Sequence, residues 1–144
     1  RWASRTSDNE WLYIDLQQPV NIYGVGLNWE TAYGKEYKIQ VSNDAQHWQD
    51  VYHVQSGKTG KQDLFFDDVK ARYVKVQGIK RGTGWGYSLW EMKVYGGTTH
   101  VDGLSDVHFL KLRLSGQDDT PSAKISTGGE YTGRISLPST DSRK

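Results

Sequence analysis

A glycine-rich turn at residues 81–87, RGTGWGY, contains two aromatic side chains, Trp85 and Tyr87. Glycines stand on both sides of Trp85, and glycines at this density favour tight turns and close backbone approach rather than a buried surface. In the strand pattern that follows, SLWEMKVYG, alternation predicts that Trp90 faces a core, but it assigns no core position to Trp85. Trp85 is therefore either a ring displayed for a ligand or a ring folded back over the end of the domain.

A carboxylate, Glu30, ends the strand pattern IYGVGLNWE, and the polar run TAYGKE with Tyr33 and Lys35 follows it. Alternation places Glu30 opposite the preceding tryptophan, so its side chain projects away from the core. A pyranose has an apolar C–H face and a rim of hydroxyls, and a matching site combines an aromatic ring with planar charged or amide groups. Glu30 suits the rim of such a site. The alternative is a surface ion pair with Lys35 or Arg81, which would contribute little.

The residues give little support to catalysis. The chain contains no G-x-S-x-G, H-E-x-x-H or G-x-x-x-x-G-K-[ST] motif. Its four histidines are scattered without metal-ligand spacing, and His47 is predicted to be a solvated turn residue. The acidic pairs at 67–68 and 118–119 show no sign of the two distinct environments that a catalytic acid and base require. We therefore predict that this chain is not an enzyme.

Composition restricts the possible partners. The 144 residues suit one domain, or one domain with an appendage. A formal net charge of +1 provides no field that favours nucleic acid or an acidic membrane surface. There are no cysteines, which excludes disulfides and thiolate chemistry. No apolar run approaches the length of a membrane span, and the first residues show no signal-peptide pattern.

Period-two alternation recurs along most of the chain and predicts an all-β fold. WLYIDL (11–16) and EYKIQVS (36–42) each place apolar residues on one face, and residues 22–30, 63–68, 71–78 and 88–96 continue the series. Trp48, after a polar turn, is predicted to be a further core residue. With no helical window of useful length, this pattern favours an antiparallel β-sandwich of jelly-roll or immunoglobulin type.

The last third of the chain differs in composition. All six tryptophans, and every tyrosine except Tyr131, come before Gly97. VHFLKLRLSG (107–116) predicts one further strand, followed by a loop or linker with at most two short strands. We therefore predict a boundary near residues 96–98, which divides the chain into a domain, 1–97, and a tail, 98–144.

Several motifs in one collinear series strongly resemble the discoidin-like domains, also called factor V/VIII type C domains, many of which are grouped as carbohydrate-binding modules of family 32. The most specific are RWAS at the start, Y-K-I-Q-V-S-N-D-x-x-x-W at 37–48 and R-G-T-x-x-G-Y-S-L-W-E at 81–91. The resemblance covers residues 1–97. It implies an antiparallel jelly-roll sandwich with galactose-binding-like topology, whose ligands bind on loops at one end.

The W-E-x-A-Y and R-G-T-x-x-G-Y-S-L-W-E variants look like modules attached to bacterial polysaccharide-degrading enzymes. The resemblance thus implies a secreted or cell-surface, non-catalytic module that directs a catalytic domain in the same chain to chitosan or another amino sugar, a β-glucan or a galactoside. No nucleic acid or membrane partner is expected. The expected ligand-binding residues are Glu30, Tyr33, Trp85, Tyr87, Arg81 and Arg1.

Calcium is a further expectation from the resemblance. A complete family domain begins with a strand and an Asp-Gly loop that holds a structural calcium, together with a Glu on the last strand. Glu91 matches that last position. The opening strand and loop are missing before RWAS, so the remaining residues are not expected to assemble a shell of about six to eight oxygens. We expect the tail strand VHFLKLRL to cover the sheet edge that the missing strand leaves open.

Two other functions remain open at this stage. The first is a discoidin-type adhesion domain that binds phospholipid or a protein partner, although such membrane readers need loops tipped with apolar clusters and basic neighbours. The second is a module that lends a loop to the active site of an attached glycosidase.

Overall fold

The computed structural model describes the backbone of residues 2–97, 109–117, 120–126, 130–131 and 134–136, and the side chains of residues 2–96 apart from residue 17. The regular elements of this described part are all strands. In chain order they are β1 (Trp2–Ala3), β2 (Trp11–Trp29), β3 (Gly34–Ser42), β4 (Gln49–Val54), β5 (Gly60–Arg81), β6 (Ser88–Gly97), β7 (Phe109–Gln117), β8 (Thr120–Ser126), β9 (Glu130–Tyr131) and β10 (Arg134–Ser136).

All described pairings are antiparallel, and the main path runs β4-β3-β5-β2-β6-β7-β8-β9, with β1 beside β6 and β10 beside β2. The two long strands, β2 and β5, pair along most of their lengths, with register shifts between Asp15 and Val20 and between Ile22 and Gly24. Shifts of this kind bend a strand and increase its twist. Both halves of β2 can therefore face one core, and the predicted antiparallel jelly-roll sandwich is confirmed.

Alternation predicts the core correctly in the regular strands. Leu12, Ile14 and Leu16 of β2 are buried, as are Ile39 and Val41 of β3. They belong to one cluster of buried apolar side chains to which the strands β1 to β6 contribute. Burial of this kind is the main source of stability in such a domain.

Two of the predicted core residues lie elsewhere. The prediction for Trp90 is wrong, because its side chain is 50% exposed. Leu89 and Met92, before and after it in the strand, point into the core. Two residues, Trp90 and Glu91, therefore lie between them where regular alternation would place one. Trp48 is half-buried outside the core cluster, with its ring centroid 5.2 Å from that of Tyr13.

The tail adds strands to the same sheet. β7 overlaps the strand predicted at 107–116 and pairs with β6 from Glu91 to Tyr95, so it covers that edge as expected. After it come three short strands, β8, β9 and β10, rather than at most two. Residues 98–108 lie outside the described residues, and the boundary near residues 96–98 stays a prediction. In the part of the chain that was described, no helix is long and apolar enough to cross a membrane.

Candidate functional site

An open groove of about 430 Å³ lies at one end of the domain, where three chain segments meet. Its walls come from residues 3–6, 30–32 and 85–88, and they include Glu30 and Trp85. The volume falls in the range of small-ligand sites, about 300–1,000 Å³. The groove thus unites a carboxylate and an aromatic ring that are 55 positions apart in the sequence.

Backbone hydrogen bonds hold the three segments together. The N–H of Ser4 donates to the carbonyl of Tyr87 (2.8 Å), and the N–H of Tyr87 donates to the Ser4 hydroxyl (2.8 Å). Ser88 donates to the carbonyl of Ala32 (2.8 Å) and accepts from the N–H of Glu30 (2.9 Å). Three of these four bonds join main-chain atoms, so most of the framework of the groove does not depend on side chains; the Ser4 hydroxyl is the one side-chain partner among them.

Trp85 is displayed at the rim of this groove. It is 72% exposed, the highest value among the exposed large hydrophobic residues. Its N–H donates to the Thr83 hydroxyl (3.1 Å), which fixes the backbone of the turn and leaves the ring in solvent. A ring held in this way presents its face without first having to be ordered, which lowers the entropic cost of binding.

Glu30 follows the last residue of β2 and is partly buried in the groove wall. Its N–H donates to Ser88, and its carbonyl accepts a hydrogen bond from the Thr59 hydroxyl (2.9 Å). The backbone that carries the carboxylate is thus fixed from two sides. In this position the carboxylate can accept hydrogen bonds from hydroxyl or ammonium groups of a ligand.

Arg81 braces the turn that carries Trp85. Its Nε donates to the carboxylate of Asp8 (2.8 Å), as does its backbone N–H (3.0 Å), and its Nη1 lies 3.5 Å from the carbonyl of Gly84. These hydrogen bonds from Arg81 lower the pKa of the exposed Asp8 carboxyl below its usual value. Arg81 is outside the groove lining, and the contacts seen here are those of a residue that positions the turn.

The two predicted tyrosines occupy supporting positions. Tyr87 contributes to the groove wall, but it is only 1% exposed and its hydroxyl donates to the carbonyl of Asp8 (2.7 Å). Burial raises the pKa of the Tyr87 phenol. Tyr33 is half-buried, and its ring lies against Gly82, where any Cβ would collide with it. Neither ring is placed like Trp85 for stacking on a ligand in the groove.

Two predicted residues remain, Arg1 and Glu91, and Glu91 is not part of the groove lining. Arg1 lies outside the described residues, so its predicted role in binding stays a prediction. Glu91 is on β6, where its Oε1 lies 3.8 Å from the ammonium of Lys93. Within the described part of the chain, no three His, Cys, Asp or Glu side chains come together as metal ligands. The calcium role of Glu91 stays an expectation.

The sequence did not single out several residues of the groove, among them Ser4, Thr6, Thr31 and Ser88. Their hydroxyl groups can donate and accept hydrogen bonds, as a site for a polyhydroxylated ligand requires. They are common residue types in turn-like segments. The pairing of β1 with β6, in which Ala3 lies opposite Ser88, and the backbone hydrogen bonds of Ser88 with Glu30 and Ala32 bring them together.

Comparisons with known proteins agree with this architecture. The chitosan-binding module 1 from a chitosanase/glucanase of Paenibacillus sp. IK-5 is 44% identical, with a TM-score of 0.63, over 66% of this chain and 75% of that one. Module 2 of the same enzyme, solved in complex with chitotriose, is 42% identical, with a TM-score of 0.62, over 65% of this chain and 74% of that one.

A curated relative extends the comparison to a complete enzyme. The polysaccharide lyase 8 family protein HylA of Enterococcus faecalis is 34% identical over 83 residues, which are 56% of this chain. The match spans only 6% of the length of that protein. Residues 1–92 match the F5/8 type C domain, which is more than half of the chain. The chain belongs to the F5/8 type C domain family.

Proposed function

We propose that this chain is a non-catalytic carbohydrate-binding module whose groove holds an amino-sugar oligosaccharide of the chitosan type. The observation that carries this proposal is the joint presence of Glu30 and the exposed ring of Trp85 in one groove. One group suits the polar rim of a sugar, and the other suits its apolar face.

Trp85 supplies the stacking surface. The C–H bonds on one face of a pyranose form an apolar patch, and an exposed indole is the largest flat apolar surface that a side chain can offer. Stacking of a nucleobase on an aromatic side chain is worth about 1–3 kcal/mol, and we take a sugar to be comparable. One such ring gives modest affinity, which suits a module that must release and rebind along a polymer.

Glu30 supplies selectivity for an amino sugar. A carboxylate that pairs with an ammonium forms a charge-assisted hydrogen bond, which is roughly twice as strong as a neutral one. The relatives that bear the name chitosan-binding module, at 42–45% identity, support the same class of ligand. A neutral glucan or galactoside would meet Glu30 only as a hydrogen-bond acceptor and would gain less.

The relatives support a catalytic domain in the same chain as the partner of this module. The Paenibacillus modules derive from a chitosanase/glucanase, and the match to the Enterococcus lyase covers a small part of a long chain. We infer that the present module is attached to a secreted or cell-surface bacterial polysaccharide-degrading enzyme and keeps its catalytic domain near the substrate. Linking a binder to a catalyst raises the effective concentration of substrate without any new chemistry.

Calorimetric titration of the domain with glucosamine, N-acetylglucosamine, glucose and galactose oligomers, at low and high salt, tests this proposal. We expect the strongest binding to glucosamine oligomers, and we expect added salt to weaken it because an exposed ion pair is screened. Glu30→Gln should remove the salt dependence, whereas Phe65→Ala, which removes an exposed ring outside the groove lining, should bind like the wild type. Salt-independent binding of glucose oligomers with no binding of glucosamine oligomers would overturn the amino-sugar assignment.

A further inference from the structure

A second exposed tryptophan, Trp90, lies five positions after Trp85 and has no role in the proposed site so far. It is 50% exposed, although it lies within β6, a strand that pairs with neighbours on both sides. The residues of β6 that pair with β2 include Leu89 and Glu91 but not Trp90. On the other edge of β6, β1 pairs up to Leu89 and β7 pairs from Glu91. Trp90 is thus the extra residue of a β-bulge.

The bulge leaves Trp90 exposed two residues beyond the part of β6 that lines the groove. Leu89 and Met92 point into the core, so Trp90 and Glu91 share the opposite face. Ser88, two residues before Trp90, belongs to the groove wall. Two residues of strand span about 7 Å, which is close to the size of one sugar ring. Bulges next to functional sites commonly reorient a side chain in this way.

Trp85 and Trp90 differ from the half-buried tryptophans, Trp11 and Trp48, in their contacts with other rings and with cations. Trp11 and Trp48 make contacts with neighbouring tyrosine rings and with the ammonium of Lys75. Among the described residues, no ring–ring or cation–π contact involves Trp85 or Trp90. An exposed indole that makes no such contact can offer its face to a ligand.

We propose that Trp90 forms a second stacking subsite, which extends the groove of Glu30 and Trp85 along β6 so that it binds consecutive units of one oligosaccharide. This inference rests on the proposed function, because it assigns a further sugar to the same site. In this arrangement a single sugar occupies the subsite of Glu30 and Trp85. A longer oligomer reaches Trp90 and gains its stacking energy. The site therefore selects for chain length, which a single ring cannot do.

Calorimetric titration with glucosamine monomer, dimer, trimer and tetramer, and with the matching glucose and galactose series, tests this inference on the wild type, Trp85→Ala, Trp90→Ala and Trp90→Phe. For the wild type we expect affinity to rise from the monomer to the dimer, which fills both subsites, and to rise little beyond it. Trp90→Ala should weaken trimer binding roughly fivefold or more and leave monomer binding unchanged, since one stacking contact is worth at least about a factor of five. Trp90→Phe should restore most of the trimer affinity. Trp85→Ala should weaken binding at every length.

Equal loss at every length in Trp90→Ala, or trimer binding as strong as that of the wild type, would overturn the second subsite and leave the proposed function intact. No binding of any oligomer by the wild type would overturn both. If Trp90→Ala does not fold, the indole N–H resonance of Trp90 in the wild type decides. We expect this resonance to shift when trimer is added and to stay in place when monomer is added. The same shift with both, or no shift with trimer, would refute the inference.

Discussion

Replacing Trp85 by alanine should separate binding from stability. The residue is 72% exposed, so only about a quarter of its surface is hidden in the folded domain. A fully buried tryptophan costs about 3–5 kcal/mol when it is cut to alanine. A quarter of that is about 1 kcal/mol. The hydrogen bond to the Thr83 hydroxyl uses only the backbone N–H of residue 85 and survives the substitution. We therefore expect a melting temperature lower by at most about 8 °C.

The free-energy loss in binding should equal or exceed this loss of stability. Loss of one stacking contact of about 1–3 kcal/mol corresponds to a dissociation constant higher by roughly fivefold to a hundredfold. Calorimetric titration with glucosamine oligomers gives the affinity, and a thermal melt of the same sample gives the stability. Phe65→Ala is the matched control, since Phe65 is 58% exposed and lies outside the groove lining. A large drop in melting temperature with wild-type affinity would show that Trp85 is structural and that the site is elsewhere.

Three other substitutions test separate parts of the account. Glu30→Gln should lower the affinity for glucosamine oligomers severalfold, because a charge-assisted hydrogen bond of about 1.5–3 kcal/mol gives way to a neutral one of about 1 kcal/mol; calorimetry at two salt concentrations checks this. Trp29→Ala removes a ring that is 2% exposed and should lower the free energy of unfolding by about 3–5 kcal/mol in denaturant melts. Asp44 accepts a hydrogen bond from the His47 ring (2.7 Å) and raises the pKa of His47 above 6.5, so Asp44→Asn should return that pKa towards 6.5 in an NMR titration.

The first two of these substitutions have a contrary outcome, and the last concerns a defined pH range. An unchanged melting curve for Trp29→Ala would contradict the register of β2. If Glu30→Gln binds with the same salt dependence as the wild type, the Glu30 carboxylate does not form the ion pair with the sugar. Since the pKa of His47 is raised on folding, its contribution to stability is complete below about 6.5 and is lost as the pH rises through the folded value. Hydrogen bonds from the backbone and ring of His47 lower the pKa of Asp44, so the contribution of Asp44 is lost only as the pH falls through that lowered value.

The regular strands could be predicted because their side chains obey a fixed period of two. Ile39 and Val41 are buried as alternation requires. Trp90 could not be placed by the same rule, because a bulge inserts one residue and shifts the faces after it. The ring of Tyr87 is buried rather than displayed to a ligand because Gly78 leaves room for it, where a Cβ would collide with the ring. A sequence pattern records neither the extra residue nor the space that a distant glycine provides.

The candidate site could be predicted only in part. The exposure of Trp85 follows from its glycine-rich turn, and the outward direction of Glu30 follows from strand alternation. The groove itself could not be derived, because it depends on contacts such as that of Ser4 with Tyr87, 83 positions apart. Long-range pairing of this kind is set by the whole sheet rather than by any local pattern.

The most direct test of the central claim is an NMR measurement of contacts between the wild-type domain and glucosamine trimer. Intermolecular nuclear Overhauser effects report pairs of protons that lie close together, so they locate the sugar without any substitution. The account predicts effects between the C–H protons of one sugar ring and the indole protons of Trp85, together with shifts of the backbone signals of Glu30 and Ser88. Contacts confined to another surface, such as the exposed ring of Phe65, with the Trp85 signals unchanged, would contradict it.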